Sequence, residues 1–282
     1  MVDNVLGGFL RARRESISPT DVGLPAGARR RTPGLRRAEL AILAGVSVEY
    51  LTRLERGRDR HPSGQVLGAL ADALRLSPDE RVHLYRLVKV VGGEVCAMSV
   101  APARPPLRPT LRALLDRLEP GPALVVTAHG DVLAHTTGFT RLAAPVGLVG
   151  DVPANLARYV FTDARARATF PDWARVADER AAALRAAADL GDGAAAALAD
   201  ELCITAGGEF GRRFATAAAL PAWTGVERWA HPTAGDLRLA FETLLLPGTD
   251  DHRLVAYLPA DPATAAALTT ILTMAAPATA PF

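Results

Sequence analysis

Residues 40–58, LAILAGVSVEYLTRLERGR, restrict the possible fold more than any other stretch of the chain. Ala41 and Gly45 are four residues apart, so on a helix they lie one above the other and leave room for a second helix to cross. Gly45 also tolerates the positive φ that a tight turn requires. Apolar anchors for the second helix follow at Val46, Leu51 and Leu54. The spacing predicts two short helices joined by a tight turn.

The outward edge of the second helix carries residue types that contact base pairs. Arginine bonds guanine through two nitrogens, glutamate accepts from cytosine, and valine and the threonine methyl group contact thymine. In a helix-turn-helix unit this edge lies in the major groove of DNA. We therefore expect base contacts from Ser47, Val48, Glu49, Thr52, Arg53 and Arg56. The alternative is a plain helical hairpin with a charged, solvated face, and the spacing alone leaves it open.

Arginines surround this unit and favour a polyanionic partner. Residues 1–90 hold 16 Lys and Arg against 10 Asp and Glu, a net charge of +6, whereas residues 91–282 hold 16 against 20, a net charge of −4. This asymmetry predicts that double-stranded DNA is a partner of the front of the chain. Phosphate contacts supply affinity and salt dependence rather than sequence choice. We expect them from Arg29, Arg30, Arg31, Arg36, Arg37, Arg58 and Arg60.

Apolar periodicity and capping residues predict an all-α front domain over residues 1–92. A first helix is expected in NVLGGFLRARRES, followed by helices at about 35–45, 47–57, 64–75 and 78–91. Ser47 suits the N-cap of the third helix, and Pro62-Ser63 opens the fourth. Ser77 and Glu80 form a capping box for the fifth. The result is a bundle of about five short helices.

The composition changes at a proline-rich segment that we interpret as a linker, residues 93–109. Beyond it the patterns predict a helix at 110–119, a hairpin at 123–137, Ala-rich helices over about 153–215 with a break at Gly191–Gly193, and strands near the C-terminus. This order is typical of an α+β domain, assigned to 110–275 with a tail at 276–282. We expect residues from about 105 to 282 to fold without the front.

Sequence motifs give no support for an enzyme. GxSxG, HExxH, P-loop and GxGxxG patterns do not occur, so no catalytic residue, cofactor or metal is expected. His135 and His231 fit no metal-ligand spacing, and Asp172 suits a helix N-cap. Two cysteines, the lack of a signal-peptide pattern and the lack of an 18-residue apolar run predict a reduced, cytoplasmic protein with no membrane partner.

Aromatic residues of the back domain are the candidates for lining a ligand pocket. Each of them is also a candidate for plain core packing, and the sequence cannot separate the two because an apolar pocket is a core with a hole. The pocket candidates are His135, Phe139, Phe161, Phe170, Trp173, Phe210, Trp229 and Phe241.

The front resembles a known family. FLRARRE, RRRTPGLRRAELA, LAGVS, YLTRLERGR and PSGQVLGAL together resemble the N-terminal domain of the MmyB-like actinobacterial regulators, an XRE-type branch whose helix-turn-helix is similar to that of phage repressors such as lambda repressor. Leu51 stands where the family has an aromatic residue. The resemblance implies an all-α, lambda-repressor-like DNA-binding domain.

The back half resembles the partner domain of the same family through LRPTLRALLDRL, GDVLAHTT, NLARYVF, PDWARVADERAAALRAA, ERWAHPTAGDLRLAFETLLLPG and HRLVAYLPADPATAAALTTI. The resemblance implies a PAS-like fold, with an antiparallel sheet and helices on one side, that binds an apolar, fatty-acid-like effector. His135-Thr136 and Trp229-Ala230 depart from the family pattern.

Together these features predict a homodimeric, sequence-specific transcriptional regulator in which the effector changes the spacing of two recognition helices. A DNA-binding regulator whose back domain mediates only protein–protein contacts would share every feature of the front. A continuous apolar void in the back domain favours the sensor, and a filled core favours the interaction module.

Overall fold

The computed structural model describes residues 4–25, 34–59, 61–91, 107–150, 153–217, 222–246 and 252–273. The chain divides into two compact units. The first consists of Met1–Ala103 together with Ala197–Arg212, and the second of Arg104–Ala196 together with Arg213–Phe282. The linker assigned to 93–109 lies mostly outside the described residues, as does the tail at 276–282.

The first unit is helical, as predicted. Its helices from the front of the chain are α1 (Val5–Ser16), a short 3-10 helix (Pro19–Val22), α2 (Arg37–Ala44), α3 (Val48–Glu55), α4 (Gly64–Ala73) and α5 (Pro78–Val91).

Hydroxyl caps set where three of these helices begin. The Ser47 side chain accepts from the Tyr50 N–H at 3.0 Å at the start of α3, and Ser63 accepts from the Val66 N–H at 3.3 Å at the start of α4. At α5 the predicted capping box is confirmed, because the Ser77 N–H donates to the Glu80 carboxylate at 2.8 Å and the Glu80 N–H donates back to the Ser77 hydroxyl. Each cap satisfies a backbone donor that the helix itself leaves unpaired.

Leucines fill the centre of the first unit. Most of them come from one face of a helix, at the spacings of three and four residues that place side chains on one side, whereas Leu35 precedes α2 and Leu74 follows α4. The members that are almost fully buried include Leu6, Leu10, Leu35, Leu40, Leu51, Leu54, Leu67, Leu70, Leu74 and Leu84.

The same core contains one residue from far along the chain. Ile204 is buried among these leucines. It lies in α11 (Gly193–Thr205), which is followed by α12 (Gly208–Thr216). Residues 197–212 of this helical pair belong to the first unit. The sequence analysis assigns the whole pair to the back domain over 110–275, whereas the packing of the chain groups residues 197–212 with the front helices.

In the part of the chain that the structure describes, the second unit combines five strands with helices on both sides. Its strands are β1 (Ala123–Val126), β2 (Val132–His135), β3 (Thr224–His231), β4 (Gly235–Leu245) and β5 (Arg253–Pro259). Its other helices are α6 (Pro109–Arg117), α7 (Thr137–Ala143), α8 (Leu156–Thr162), α9 (Ala166–Thr169), α10 (Trp173–Asp189) and α13 (Pro262–Thr273). The predicted hairpin, the C-terminal strands and the helix break before Gly193 are confirmed.

The strands form a single antiparallel sheet in the order β2-β1-β5-β4-β3. Alternation along β3 and β4 sends Trp229, Leu237 and Leu239 into the main core, where α13 contributes Leu268 and Ile271. Such alternation is typical of a sheet with one buried face.

Strand β1 is an exception to this alternation, because all four of its residues are buried. Leu124 and Val126 face the main core, whereas Ala123 and Val125 pack with Leu111 and Leu115 of α6. Helix α6 therefore covers the opposite face of the sheet. The family resemblance implied helices on one side only, and the structure differs there because the apolar face of α6 needs a partner.

Asp172 occupies the N-cap position of α10, as predicted, but its side chain makes no capping bond. One carboxylate oxygen instead lies 3.6 Å from an Arg228 nitrogen.

Candidate DNA-reading surface and ligand cavity

One face of helix α3 is buried in the core of the first unit, and the opposite face is exposed to solvent. Leu51 and Leu54 are fully buried, and Val46 packs against the same core. Gly45 ends α2 with φ 66°, the left-handed conformation that the tight turn was predicted to need. The Val46 N–H donates to the Ala41 carbonyl at 2.9 Å and closes the turn. The helix-turn-helix geometry thus follows from the residues that the sequence pointed to.

Most of the predicted base-contacting side chains lie on one exposed edge. Ser47, Val48, Glu49, Arg53 and Arg56 are exposed, and Val48 is 39% exposed although it is apolar. Thr52 is partly buried, and its hydroxyl donates to the Val48 carbonyl at 2.7 Å. The Thr52 hydroxyl is therefore engaged by its own helix.

The Arg53 guanidinium contacts neighbouring side chains but remains exposed to solvent. Its central carbon lies 5.6 Å from the centre of the Tyr50 ring, and one nitrogen lies 4.0 Å from an Asp59 carboxylate oxygen. A cation over an aromatic face is attracted by the ring quadrupole. The Arg53 side chain remains 53% exposed, so its nitrogens are accessible to a partner.

The phosphate-contact candidates fall into three groups. Arg29, Arg30, Arg31 and Arg60 lie outside the described residues. Arg36 and Arg58 are exposed. Arg37 is partly committed to the protein, because its Nε donates to Glu55 at 2.7 Å, and its side chain is 39% exposed.

Glu55 is a residue that the sequence analysis missed. It is fully buried at the end of α3, where Arg14 of α1 and Arg37 of α2 both bond its carboxylate. Its carbonyl accepts from the Asn4 amide at 2.7 Å and from Arg11 at 3.0 Å. The signal was available, since Glu55 follows Leu51 by four residues and so shares its buried face.

The second unit contains a cavity of about 70 Å³ between the sheet and α10. A single water molecule needs only about 10–15 Å³ of such space, so the cavity has room for several. Its apolar walls include Leu156 of α8, Ala183 and Leu184 of α10, and Val255 of β5. Polar residues line it as well, namely Thr127, His129, Glu179, Arg180, Glu227, Thr243, Arg253 and Tyr257.

One wall of the cavity carries an ionic network centred on the buried Glu227 carboxylate. An Arg180 nitrogen donates to Glu227 at 2.7 Å, and the Trp229 indole N–H donates to the other Glu227 oxygen at 3.1 Å. The Tyr257 hydroxyl donates to that same oxygen at 3.5 Å. Burial, followed by the negative charge of Glu227, raises the pKa of Tyr257, so this hydroxyl stays protonated. The Glu227 carboxylate therefore has partners on both oxygens.

His129 forms another part of the wall, in the turn between β1 and β2. Its Nδ1 lies 2.8 Å from Asp192 and its Nε2 lies 3.4 Å from Asp131. Asn155 donates to Asp131 at 2.8 Å and to the His129 carbonyl at 3.2 Å. Burial alone would lower the pKa of His129, but its bonds to Asp131 and Asp192 and their charges outweigh burial and raise it. His129 is thus held between two carboxylates.

Two models of known families match the chain. The model described as "MmyB-like transcription regulator ligand binding domain" matches residues 107–271, which is more than half of the chain. The chain belongs to the MmyB-like transcription regulators. The model described as "Helix-turn-helix domain" matches residues 5–84. No curated protein matches the chain.

These matches confirm the family that the sequence motifs indicated. The MmyB-like regulator has a helix-turn-helix DNA-binding domain at the front of the chain and a ligand-binding domain after it. Both models describe parts of transcription regulators, a class that is not typically enzymatic.

The predicted pocket residues of this MmyB-like regulator do not lie together in the structure. Phe241 lines the cavity. Phe139, Phe170, Trp173 and Trp229 are buried in the main core, and Phe161 packs against it. Phe210 is buried but belongs to the first unit. His135 is partly buried, with its Nδ1 3.1 Å from the Thr140 hydroxyl.

The polar residues of the cavity wall were not predicted, although Glu227 gave a signal. It lies two residues before Trp229 on β3, at a position that alternation sends into the core. A glutamate at such a position needs a buried partner.

The described residues contain no group of three or more side chains suited to hold a metal ion. Nor do they include a helix that is both long and apolar enough to span a membrane. His231, one of the two histidines considered as ligands, accepts from the Thr233 and Ala234 N–H groups through Nδ1 and so shapes the turn between β3 and β4.

Proposed function

We propose that this regulator reads a specific DNA operator with the exposed edge of α3. The observation that supports it best is the contrast within one helix: Leu51 and Leu54 are fully buried, whereas Arg53 and Arg56 are exposed. A helix presented in this way fits the major groove, with Ser47, Val48, Glu49, Thr52, Arg53 and Arg56 as base contacts.

Phosphate contacts complete the proposed complex. We assign them to Arg36, Arg37 and Arg58, and to Arg29, Arg30, Arg31 and Arg60. Two copies would bind as a homodimer in the cytoplasm, with half-sites about 34–36 Å apart on one face of the duplex. The chain would act by binding alone, without catalysis.

The second unit is, in this proposal, a PAS-like sensor of an apolar small molecule of the fatty-acid type. Support comes from the antiparallel sheet and from the cavity between the sheet and α10. A cavity of about 70 Å³ is too small for a long acyl chain, so binding must shift the protein toward a more open state. Sequence-specific DNA binding would then respond to the population of that state.

Two experiments test the proposal. Selection from a random duplex library with the full chain should yield one enriched, two-fold symmetric sequence, and unselective recovery would contradict the operator reading. Native mass spectrometry of protein from its own host should show a co-purified amphiphile. If no fatty acid, polyketide or other apolar metabolite raises the melting temperature, the second unit is better explained as a protein–protein interaction module.

A further inference from the structure

Residues 197–212, which we call the docked segment, pack against α4 through two glycines. Gly64 and Gly68 are four residues apart on one face of α4. A Cβ built on Gly64 would lie 2.7 Å from the Asp200 Cα, and one built on Gly68 would collide with the Cys203 carbonyl. The Gly64 N–H also donates to the Asp200 carboxylate at 3.2 Å. The two backbones approach this closely because neither glycine has a side chain.

A polar clamp holds the turn between α11 and α12. An Arg81 nitrogen donates to the Ile204 carbonyl at 3.1 Å and another to Asp72 at 2.6 Å. The other Asp72 oxygen accepts from the Gly208 N–H at 2.7 Å. Arg81 thus satisfies a carbonyl at the end of α11 and Asp72 a donor at the start of α12, groups that a helix leaves unpaired. The docked segment is therefore part of the folded DNA-binding unit.

The N-terminal end of α11 is linked to the cavity of the second unit through Asp192 and His129. One Asp192 oxygen accepts from the Ala194 and Ala195 N–H groups at 2.9 and 3.1 Å, which caps the helix, and the other lies 2.8 Å from His129. His129 lines the cavity, as do Arg180, Ala183 and Leu184 of α10. Only Leu190, Gly191 and Asp192 separate α10 from α11.

We propose that α11 transmits the state of the cavity to the DNA-binding unit, by changing how firmly the docked segment is held on α4 and α5. The inference deepens the proposed sensor function and rests on it for the natural effector. Its physical basis is that one continuous helix is capped by Asp192, which bonds His129 of the cavity wall, and that Arg81 bonds its other end at Ile204, next to the Asp72 contact with Gly208 of α12. A displacement of α10 or of the β1–β2 turn would act on the Asp192 cap and so on the docked segment.

Cys203 provides a local probe of docking. It is buried, and burial raises the pKa of its thiol to about 11, so an alkylating reagent reacts only when the segment opens. The measurement is the rate of N-ethylmaleimide labelling of Cys203 in the full chain carrying Cys96→Ser. Gly68→Ala should raise this rate roughly tenfold, whereas Gly8→Ala should not, because a Cβ on Gly8 meets no atom within 4 Å. Arg81→Gln is a second way to weaken docking.

Filling the cavity then tests the coupling without any ligand. Ala183→Phe adds a ring to the cavity wall, and Ala174→Phe adds the same ring to an exposed position of the same helix. We expect Ala183→Phe to change the Cys203 labelling rate by roughly fivefold or more, the low end of allosteric couplings, and Ala174→Phe to leave it unchanged. His129→Gln should diminish the response to Ala183→Phe.

An unchanged labelling rate in a folded Ala183→Phe chain, with tryptophan fluorescence showing an intact second unit, would overturn the proposal. Labelling equally accelerated by Ala174→Phe would overturn it too, since that outcome reports general destabilisation. Neither result depends on an effector. If Ala183→Phe changes the labelling rate but no amphiphile binds the unsubstituted chain in the ligand screen, the sensor function alone is contradicted. If an amphiphile binds but Ala183→Phe leaves the labelling rate unchanged, the transmission alone is contradicted.

Discussion

Arg14 and Glu55 form a buried ion pair that joins α1 to the end of α3, the proposed recognition helix. The Arg14 Nε lies 2.6 Å from one Glu55 oxygen, while Arg37 of α2 bonds the other. A second Arg14 nitrogen donates to the Leu35 carbonyl at 2.8 Å. Three helices therefore depend on one carboxylate for their mutual orientation, and α3 presents the candidate base contacts.

Glu55→Gln should destabilise the first unit by about 3–5 kcal/mol, because it leaves Arg14 buried with only the exposed Glu15 as a counter-ion. The measurement is hydrogen exchange of the amides in α1 and α3, since the three tryptophans all lie in the second unit. Glu15→Gln is the matched control. Glu15 contacts the same Arg14 at 3.1 Å but is 58% exposed, so its loss should change little. Equal effects of both substitutions would contradict a special role for Glu55.

Arg53→Ala should weaken specific DNA binding by about 1–3 kcal/mol and relax the preference at one base position. The melting temperature should stay the same, because the side chain is exposed. Binding is measured against the selected operator and its single-base variants. Arg112→Ala, at an exposed position on α6, removes the same charge elsewhere and should not alter the base preference. Undiminished binding by Arg53→Ala would show that another edge of α3 reads the bases.

Replacing Arg29, Arg30 and Arg31 together by alanine should weaken binding to all duplexes alike. The slope of log K against log salt should fall by about 0.9 for each lost phosphate contact. Titrations at several salt concentrations with operator and unrelated DNA measure both effects. A loss confined to the operator would instead indicate that this segment reads bases, for example in the minor groove.

Glu227→Leu should destabilise the second unit by about 3–5 kcal/mol, because Arg180 then lacks its counter-ion while the Trp229 N–H loses its acceptor. Adding Arg180→Met should recover most of this loss, since a well-packed apolar pair replaces a buried ion pair at little cost. Thermal melts followed by tryptophan fluorescence give the comparison. If the double variant is no more stable than the single one, the Glu227 carboxylate stabilises the unit mainly through Trp229 and Tyr257.

The stability of the second unit should depend on pH through His129. Its folded pKa is raised above the ordinary 6.5, so the stabilisation is fully present below 6.5 and is lost as the pH rises through the folded value. Asp192 acts in the opposite sense. Its lowered pKa, due chiefly to the His129 bond against the effect of burial, gives a stabilisation that is present above 3.8 and lost in acid.

Tryptophan-monitored melts from about pH 6 to pH 9 should show a decline in the wild type. In His129→Gln that decline should be smaller, because Asp131 and Asp192 then face a group that does not titrate. Parallel curves for the two proteins would assign the decline to other groups.

The local sequence determined much of the front unit. The spacing of Ala41, Gly45, Leu51 and Leu54 fixed the helix-turn-helix, because a positive φ at one glycine and a two-turn apolar face are local requirements. Ser47, Ser63 and Ser77 marked helix starts for the same reason, since a cap bonds a backbone group three residues away. Strands β3 and β4 were also predictable, because alternation with period two is a local property of each strand.

Tertiary structure decided what depends on partners distant in the chain. Arg14, Glu55 and Glu227 are charged residues whose burial is tolerated only because their counter-ions come from other helices or strands, and the local spacing does not indicate those partners. The aromatic residues looked alike in sequence, yet packing left only Phe241 of the predicted set at the cavity described here. Likewise, the sequence of the Ala-rich helix α11 does not indicate which unit it packs against. Gly64, Gly68, Asp72 and Arg81 hold the docked segment on the DNA-binding unit through contacts that exist only once both parts have folded.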